Sequence, residues 1–420
     1  MQVKAFLIPI AAAITWCSCS KKIDQAAAAD TETINTGPVV PSANASTITF
    51  TDESSFVNTL SSYGFKTPDQ LSLNRMGSTS GYTGVYGFNI PAANQVTGFK
   101  WNSGDEQTTE WRPQGIAGFS WAGRKFLVVT WYGVGPTDIA GVNNQHKGVR
   151  IALADITSMS SITYRLILLV QNKANMTNSD LYKASNPYTQ LGSFAPVTIH
   201  AGGVAAYANK LYVADTKLGM RVFDLTKFID VDGDATETRI GMETNGDLKA
   251  FNYGYILPQS GYYKITGASP FSCIELGQGA TASDKYFWTG QYVTSDESTI
   301  PKVFGFGVNT SGVVSTAQPT IITPIDNTSG HVYGMQGVYR TGSKTFMTIT
   351  GTSSYEGSTA RLVRYNDGTT AGSRYRWPHG AEDLYYDSAT GYLWNLTEYE
   401  TQKYGEDNRC VFAVRLSDYD

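Results

Sequence analysis

One three-strand pattern recurs along most of the chain: a strand of small residues, a turn, a strand led by Lys, a loop, then a third strand. It first runs through Gln114–Phe119, Lys125–Tyr132 and Gly148–Asp155. The next copy is His200–Tyr207, Lys210–Asp215 and Met220–Leu225. A third uses Ser272–Glu275, Lys285–Tyr292 and Val303–Phe306, and a fourth Gln336–Tyr339, Lys344–Ile349 and Arg361–Tyr365. The fifth is Glu382–Tyr386, Tyr392–Leu396 and Val411–Leu416, its second strand led by Tyr rather than Lys. Repetition at this scale means that each unit is one supersecondary element completed by its neighbours.

The second strands start at Lys125, Lys210, Lys285, Lys344 and Tyr392, so the spacings are 85, 75, 59 and 48 residues. The shortest is close to the ~40–50 residues of a four-stranded propeller blade, and the longer ones then carry loop insertions. Gly and Ala in first strands such as Gln114–Phe119 and His200–Tyr207 suit an innermost strand crowded around a narrow axis. The pattern resembles the β-propeller superfamily over about Gly81 to Leu416. The expected fold is therefore an all-β propeller, with five blades preferred and six or seven within what the spacing allows. A fourth strand is visible at Ile162–Leu169. Gly84–Phe88 and Val96–Lys100 are strands with no complete unit before them, while the last unit stops after three strands. An N-terminal strand added to the last blade closes the ring and removes free edges. The competing arrangement is a pair of β-sandwiches. His200–Gly203 with Tyr212–Thr216, and Glu382–Leu384 with Leu393–Glu398, also resemble a group of secreted bacterial proteins, many from actinomycetes. That likeness implies fold and export, and no activity.

Composition agrees with this picture and narrows the partners. The chain has 420 residues, of which 42 are Gly and 26 Tyr, with 16% charged, which favours an extended all-β protein over a helical or disordered one. Its formal charge of −4 lacks the excess of basic residues that a nucleic-acid partner requires.

The N-terminus reads as an address. Met1–Lys4 carries one positive charge, and Ala5–Trp16 is an apolar run of signal-peptide length, too short to span a bilayer as a mature helix. Cys17 and Cys19 follow at once and resemble the lipobox of bacterial lipoproteins. Cys19, preceded by the small Ser18, is the preferred acylation site. Ser20-Lys21-Lys22 resembles the tether of Bacteroidetes surface lipoproteins. The competing reading is an ordinary cleaved signal with incidental cysteines. The expected organisation is a signal peptide over 1–19, a flexible linker over 20–47, an extension over 48–80 and the propeller over 81–420. Expected localisation is the bacterial outer membrane or cell surface through a lipid anchor, or secretion. Cys273 and Cys410 sit on different strands and make no disulfide framework, and no paired Cys/His spacing supports zinc.

In a propeller, the starts of the inner strands and the ends of the second strands open on one face, so repeated positions converge on one mouth. Gln114, His200, Ser269, Gln336 and the run His379–Asp383 hold the first kind of position. Trp131, Tyr132, Asp215, Gln291, Tyr292, Glu398 and Glu400 hold the second. Polar groups and aromatics converging on a pocket suit a ligand, and an exported protein with such a mouth suits a glycan. The leading expectation is a glycan-binding propeller with Gln114, Trp131, Tyr132, Asp215, Arg221, Tyr292, Gln336 and Glu398 as contacts. The alternative is a carbohydrate-active enzyme using His200, His379 and Glu382: a hydrolase pairs Glu382 with Asp215 or Glu398, and a lyase uses His200 as base with Arg221 facing a uronate. A scaffold within a surface protein complex is the third reading. No GxSxG, HExxH, Walker or Rossmann motif is present. Asp230, Asp232 and Asp234 lie at alternate positions, as in the opening of a calcium loop, but Ala235 and Gly241 stand where an EF-hand needs Gly and Glu. No cofactor is required by these motifs, with structural calcium as the one candidate.

Overall fold

The computed structural model describes residues 46–79, 90, 94–133, 148–175, 189–267, 271–325 (without 280, 282 and 296), 330–349, 360–369, 372–399 and 409–420. These all belong to the unit Asn44–Asp420. The signal, Cys19, nearly all of the linker, Ser269, Glu400 and the Gly84–Phe88 strand lie outside the described residues.

The described strands form five antiparallel blades of four strands each. Blade 1 is Trp111–Trp121, Arg124–Gly133, Val149–Asp155 and Thr163–Asn172. Blade 2 is Val204–Tyr207, Lys210–Asp215, Gly219–Asp224 and Tyr255–Thr266. Blade 3 is Phe271–Gln278, Lys285–Gln291, Val303–Gly307 and Thr320–Ile322. Blade 4 is Met335–Thr341, Lys344–Ile349, Arg361–Asn366 and Ser373–Arg376. Blade 5 takes Ala381–Asp387, Tyr392–Thr397 and Cys410–Arg415 from the C-terminus, and its outer strand, Gln95–Lys100, from the N-terminal side. The ring is thus a five-bladed β-propeller closed by an N-terminal strand.

Local chemistry explains the hairpins. Ala122-Gly123 and Ala208-Asn209 both have positive φ at each position, which makes two-residue turns whose twist matches the strands they join. The inner strands need their small residues because they touch their neighbours backbone to backbone. A Cβ on Gly203 of blade 2 would stand 2.3 Å from the backbone N of Ile274 in blade 3. Each second strand buries Val, Leu, Phe or Trp on both faces between blades, as at Phe126–Val129, all 0–1% exposed. Cys273 and Cys410 are separate, buried thiols.

Blade 2 departs from the simple repeat, and this accounts for the long spacing after it. Residues 225–254 are inserted before its fourth strand and include Ile229–Asp230, Arg239–Met242 and Leu248–Ala250. That fourth strand is long enough to serve two blades: Ile256–Pro258 pairs in parallel with Leu168–Val170 of blade 1, and the part beyond it pairs with blade 2. Thr47–Asp52 then covers its outer side. Residues before 81 therefore contribute a strand to the propeller and leave blade 2 no long bare edge.

Candidate functional site

Four of the five inner strands carry an irregularity at their start. Register shifts fall between Pro113 and Ile116, Phe271 and Cys273, Met335 and Gly337, and Ala381 and Leu384. Such bulges re-aim side chains at the rim of a closed sheet. Across the seams Gly202 stands against Ser272 and Gln336 meets Glu382. One residue further along, Gly115 stands against Gly203, Gly203 against Cys273 and Gly337 against Asp383.

Glu382 and Glu398 form the acidic sector, on blade 5 and at its seam with blade 1. Glu382 is 1% and Glu398 3% exposed. Gln336 Nε2 donates to Glu382 Oε1 at 3.3 Å, and Gln114 Nε2 donates to Glu398 Oε2 at 3.1 Å. Burial, then the neighbouring Glu398 and Asp383 charges, hold the Glu382 carboxyl well above the usual carboxylate range, with Arg112 acting in the opposite sense. Asn395 Nδ2 fixes the backbone beneath by donating to the carbonyls of Glu382 and Asp383, at 2.8 and 2.6 Å. Arg409 Nε donates to the carbonyl of Glu398 at 3.0 Å.

His200 lies at the start of blade 2. Its ring stacks on Tyr132 of blade 1, with centroids 4.5 Å apart and planes 29° from parallel. His200 keeps some exposure, yet the protein around it desolvates the ring, and together with the Arg112 charge this takes its pKa down to about 4. The imidazole is therefore neutral at pH 7. His379 is buried at the start of blade 5. Each His precedes a left-handed residue, Ala201 (φ 54°) or Gly380 (φ 63°), that turns the chain into the inner strand. A Cβ on Gly380 would also stand 2.7 Å from the Tyr399 ring. Gly380→Ala is expected to lower stability by about 1–2 kcal/mol through backbone strain and this clash, measured by thermal melting.

Other expected contacts do not join this site. Trp131 points into the core between blades: it is fully buried, packs edge-on to Trp101 at 5.2 Å, and has the Arg150 and Arg409 guanidinium groups 5.1 and 5.5 Å from its ring. Asp215 and Arg221 bind each other at 2.8 Å. Arg221 also donates to Gln171 and Gln259, and Gln259 to Glu53, so this buried polar network braces the seam of blades 1 and 2 rather than the mouth. Asp215 neither pairs with Glu382 nor leaves Arg221 free for a uronate. Tyr292 is half-buried at the end of blade 3's second strand. Gln291 is buried and accepts from the backbone N–H of Lys302.

The three Asp residues of the acidic turn diverge. Asp230 pairs with Lys66 at 2.6 Å, Asp232 approaches Lys249 at 3.6 Å, and Asp234 accepts from the backbone and hydroxyl of Thr236. Among the described residues, no three His, Cys, Asp or Glu side chains are grouped to hold a metal ion. Melting curves with chelator and with millimolar calcium are therefore expected to coincide; a rise with calcium would reinstate the loop as a site.

Three acidic or basic groups of the mouth and channel had weak sequence signals. Arg112 faces Tyr132 across the first hairpin, two residues before the expected strand start, and its charge acts on both His200 and Glu382. Asp383 follows Glu382 on the inner strand of blade 5. Its Oδ2 accepts from the backbone N–H groups of Val204 at 3.1 Å and Ile116 at 3.3 Å, and its Oδ1 is buried without a partner. Glu275, also buried, accepts from the N–H of Tyr386 at 3.2 Å. Burial raises both carboxyls, and the Asp383 charge raises Glu275 further.

No protein-family model matches the chain, and no curated protein matches it. Solved structures with similar strand arrangements include a GH43_1 enzyme from Xanthomonas citri, 8% identical, with 77% of this chain and 91% of that one aligned at a TM-score of 0.37. A gluconolactonase from Xanthomonas campestris is 10% identical over 82% of this chain and 94% of its own, at 0.33. An α-L-arabinofuranosidase from Clostridium thermocellum is 8% identical over 67% and 81%, at 0.31. Likeness of this degree carries no argument about chemistry, which has to come from the mouth of the propeller itself.

Proposed function

We propose that this protein is an exported carbohydrate-active enzyme that hydrolyses a glycosidic bond at the propeller mouth. The observation that carries the reading is a pair of buried carboxyls, Glu382 and Glu398, each held by a glutamine, with the Glu398 charge helping burial to raise the Glu382 carboxyl above its ordinary range. Glycoside hydrolysis needs such a pair: an acid that gives its proton to the leaving oxygen, and a carboxylate that acts as base or nucleophile. Glu382 takes the role of the acid, because burial and the neighbouring Glu398 and Asp383 charges raise its carboxyl above the usual carboxylate range. Glu398, oriented by Gln114 and by the Arg409 hydrogen bond to its carbonyl, is the carboxylate. The neutral His200 on Tyr132 offers an aromatic surface for a sugar ring, and Arg112 supplies a cation whose charge acts on both His200 and Glu382.

A second reading, glycan binding without turnover, is favoured by the near-complete burial of both carboxyls. The two separate in one experiment. Purified protein is incubated with a polysaccharide panel, and products are followed by new reducing ends and by the ultraviolet absorbance of unsaturated uronates. New reducing ends without unsaturation support hydrolysis. Unsaturation indicates a lyase, and retention on a polysaccharide without any product leaves a binding protein.

Export through a lipid anchor belongs to the same proposal and rests on the Ala5–Trp16 run ending at paired cysteines. Cys19→Ala is expected to move the protein from the membrane to the soluble fraction on fractionation. Unchanged membrane association would reject Cys19 as the anchor.

A further inference from the structure

Aromatic groups at the mouth occupy two seams, and these lie on either side of the blade that carries the acids. Blade 5 stands between blades 4 and 1 in the closed ring. At the seam of blades 1 and 2 lies the Tyr132–His200 stack. At the seam of blades 3 and 4 lies a second group. His331 and Tyr333, just before the inner strand of blade 4, meet edge to face with centroids 6.0 Å apart, and both are partly exposed. The N–H of Gly334 donates to the carbonyl of Val293 at 2.8 Å, which ties this turn to the half-buried Tyr292 of blade 3. Gly334 has φ 69°, so Tyr333 stands where His379 and His200 stand on their own blades, each followed by a left-handed residue. Gln336, three residues on, donates to Glu382 and connects this sector to the acid.

In the order of the ring the two aromatic sectors are placed symmetrically about blade 5, whose inner strand Ala381–Asp387 carries Glu382. A site for the terminal sugar of a chain needs one platform and a closed far side. Platforms on both flanks suit sugars on both sides of the reacting bond, since sugar rings present apolar faces to aromatic ones. We propose that the mouth binds the interior of a polysaccharide chain, with one sugar on the Tyr132–His200 side and another on the His331–Tyr333 side. This rests on the glycan-directed reading above and specifies the substrate as a polymer bound across the axis.

Binding by Glu382→Gln protein tests it without turnover. Disaccharides and hexasaccharides of xylan, arabinan, cellulose and polygalacturonate serve as probes in calorimetry. At least one hexasaccharide is expected to bind ten-fold or more tightly than its disaccharide. His200→Ala and Tyr333→Ala should each weaken the hexasaccharide by about three- to ten-fold, the loss of one aromatic contact. Circular dichroism checks that both variants fold. Equal affinity for the two lengths, or hexasaccharide binding indifferent to Tyr333→Ala, overturns the spanning mode while leaving a glycan site in place. Failure of every probe at every length overturns the glycan-directed reading and this inference with it.

Discussion

Replacing Asp383 with alanine is expected to lower the unfolding free energy by roughly 3–5 kcal/mol, because it strips the acceptor from two buried N–H groups on two other blades. Asp383 belongs to the last blade, whereas Val204 and Ile116 belong to the second and first, so one carboxyl ties the end of the ring to its beginning. Asp383→Asn behaves differently. Its amide oxygen can still accept from both N–H groups, and its amide nitrogen takes the place of the Oδ1 that now lacks a partner. The asparagine variant should therefore melt close to wild type at pH 5 and above it at pH 9. The direction follows from the raised carboxyls. Asp383, Glu275 and Glu382 hold their protons in the folded state at pH values where the unfolded chain has released them. Stability is then greatest below the ordinary carboxylate range and declines as pH rises through the raised folded values. Asp383→Asn removes one of the three contributions. Thermal melting from pH 5 to 9 decides the matter: if asparagine costs as much as alanine throughout, the axial carboxyl is ionised and its charge holds the ring.

Glu382→Gln is expected to reduce turnover by about 10²–10⁴-fold, the usual contribution of a general acid, with little change in folding. Glutamine keeps an oxygen to accept from Gln336 and removes a buried carboxyl from the neighbourhood of Glu398 and Asp383. Melting temperature at pH 8 should therefore hold or rise while activity falls. Glu398→Gln should cut turnover comparably, because the acid has no carboxylate to work against. A fall of less than ten-fold in the Glu382 variant, with binding intact, would remove it as the proton donor.

Much of the architecture was legible in the sequence, for a local reason. Strand alternation and turn residues act over a few positions, so the five repeats of small strand, Lys- or Tyr-led strand and third strand mark the blades directly. The three-stranded C-terminal unit pointed to closure by an earlier segment, and Gln95–Lys100 supplies it. The insertion in blade 2 hid the fourth strand of that blade, since nothing short-range marks Tyr255–Thr266 as the partner of two blades at once.

The site divides along the same line. Repeat positions nominated His200, Gln114, Gln336, Glu382 and Glu398, because equivalent residues in successive blades are related by rotation about one axis. They could not separate Tyr132, which stacks on His200, from Trp131, which fills the core. Successive residues of a strand point to opposite faces, and the register shift in the facing inner strand resets which face each meets. Nor could they show that Asp215 and Arg221 satisfy each other, or that Asp383 reaches two distant strands. Strands and the blade repeat follow from short-range pattern, which also marks the candidate positions at the inner-strand starts. Which side chains meet there depends on bulges and on contacts between blades, from Gln336–Glu382, 46 residues apart, to Gln114–Glu398, 284 apart, and no local pattern encodes those.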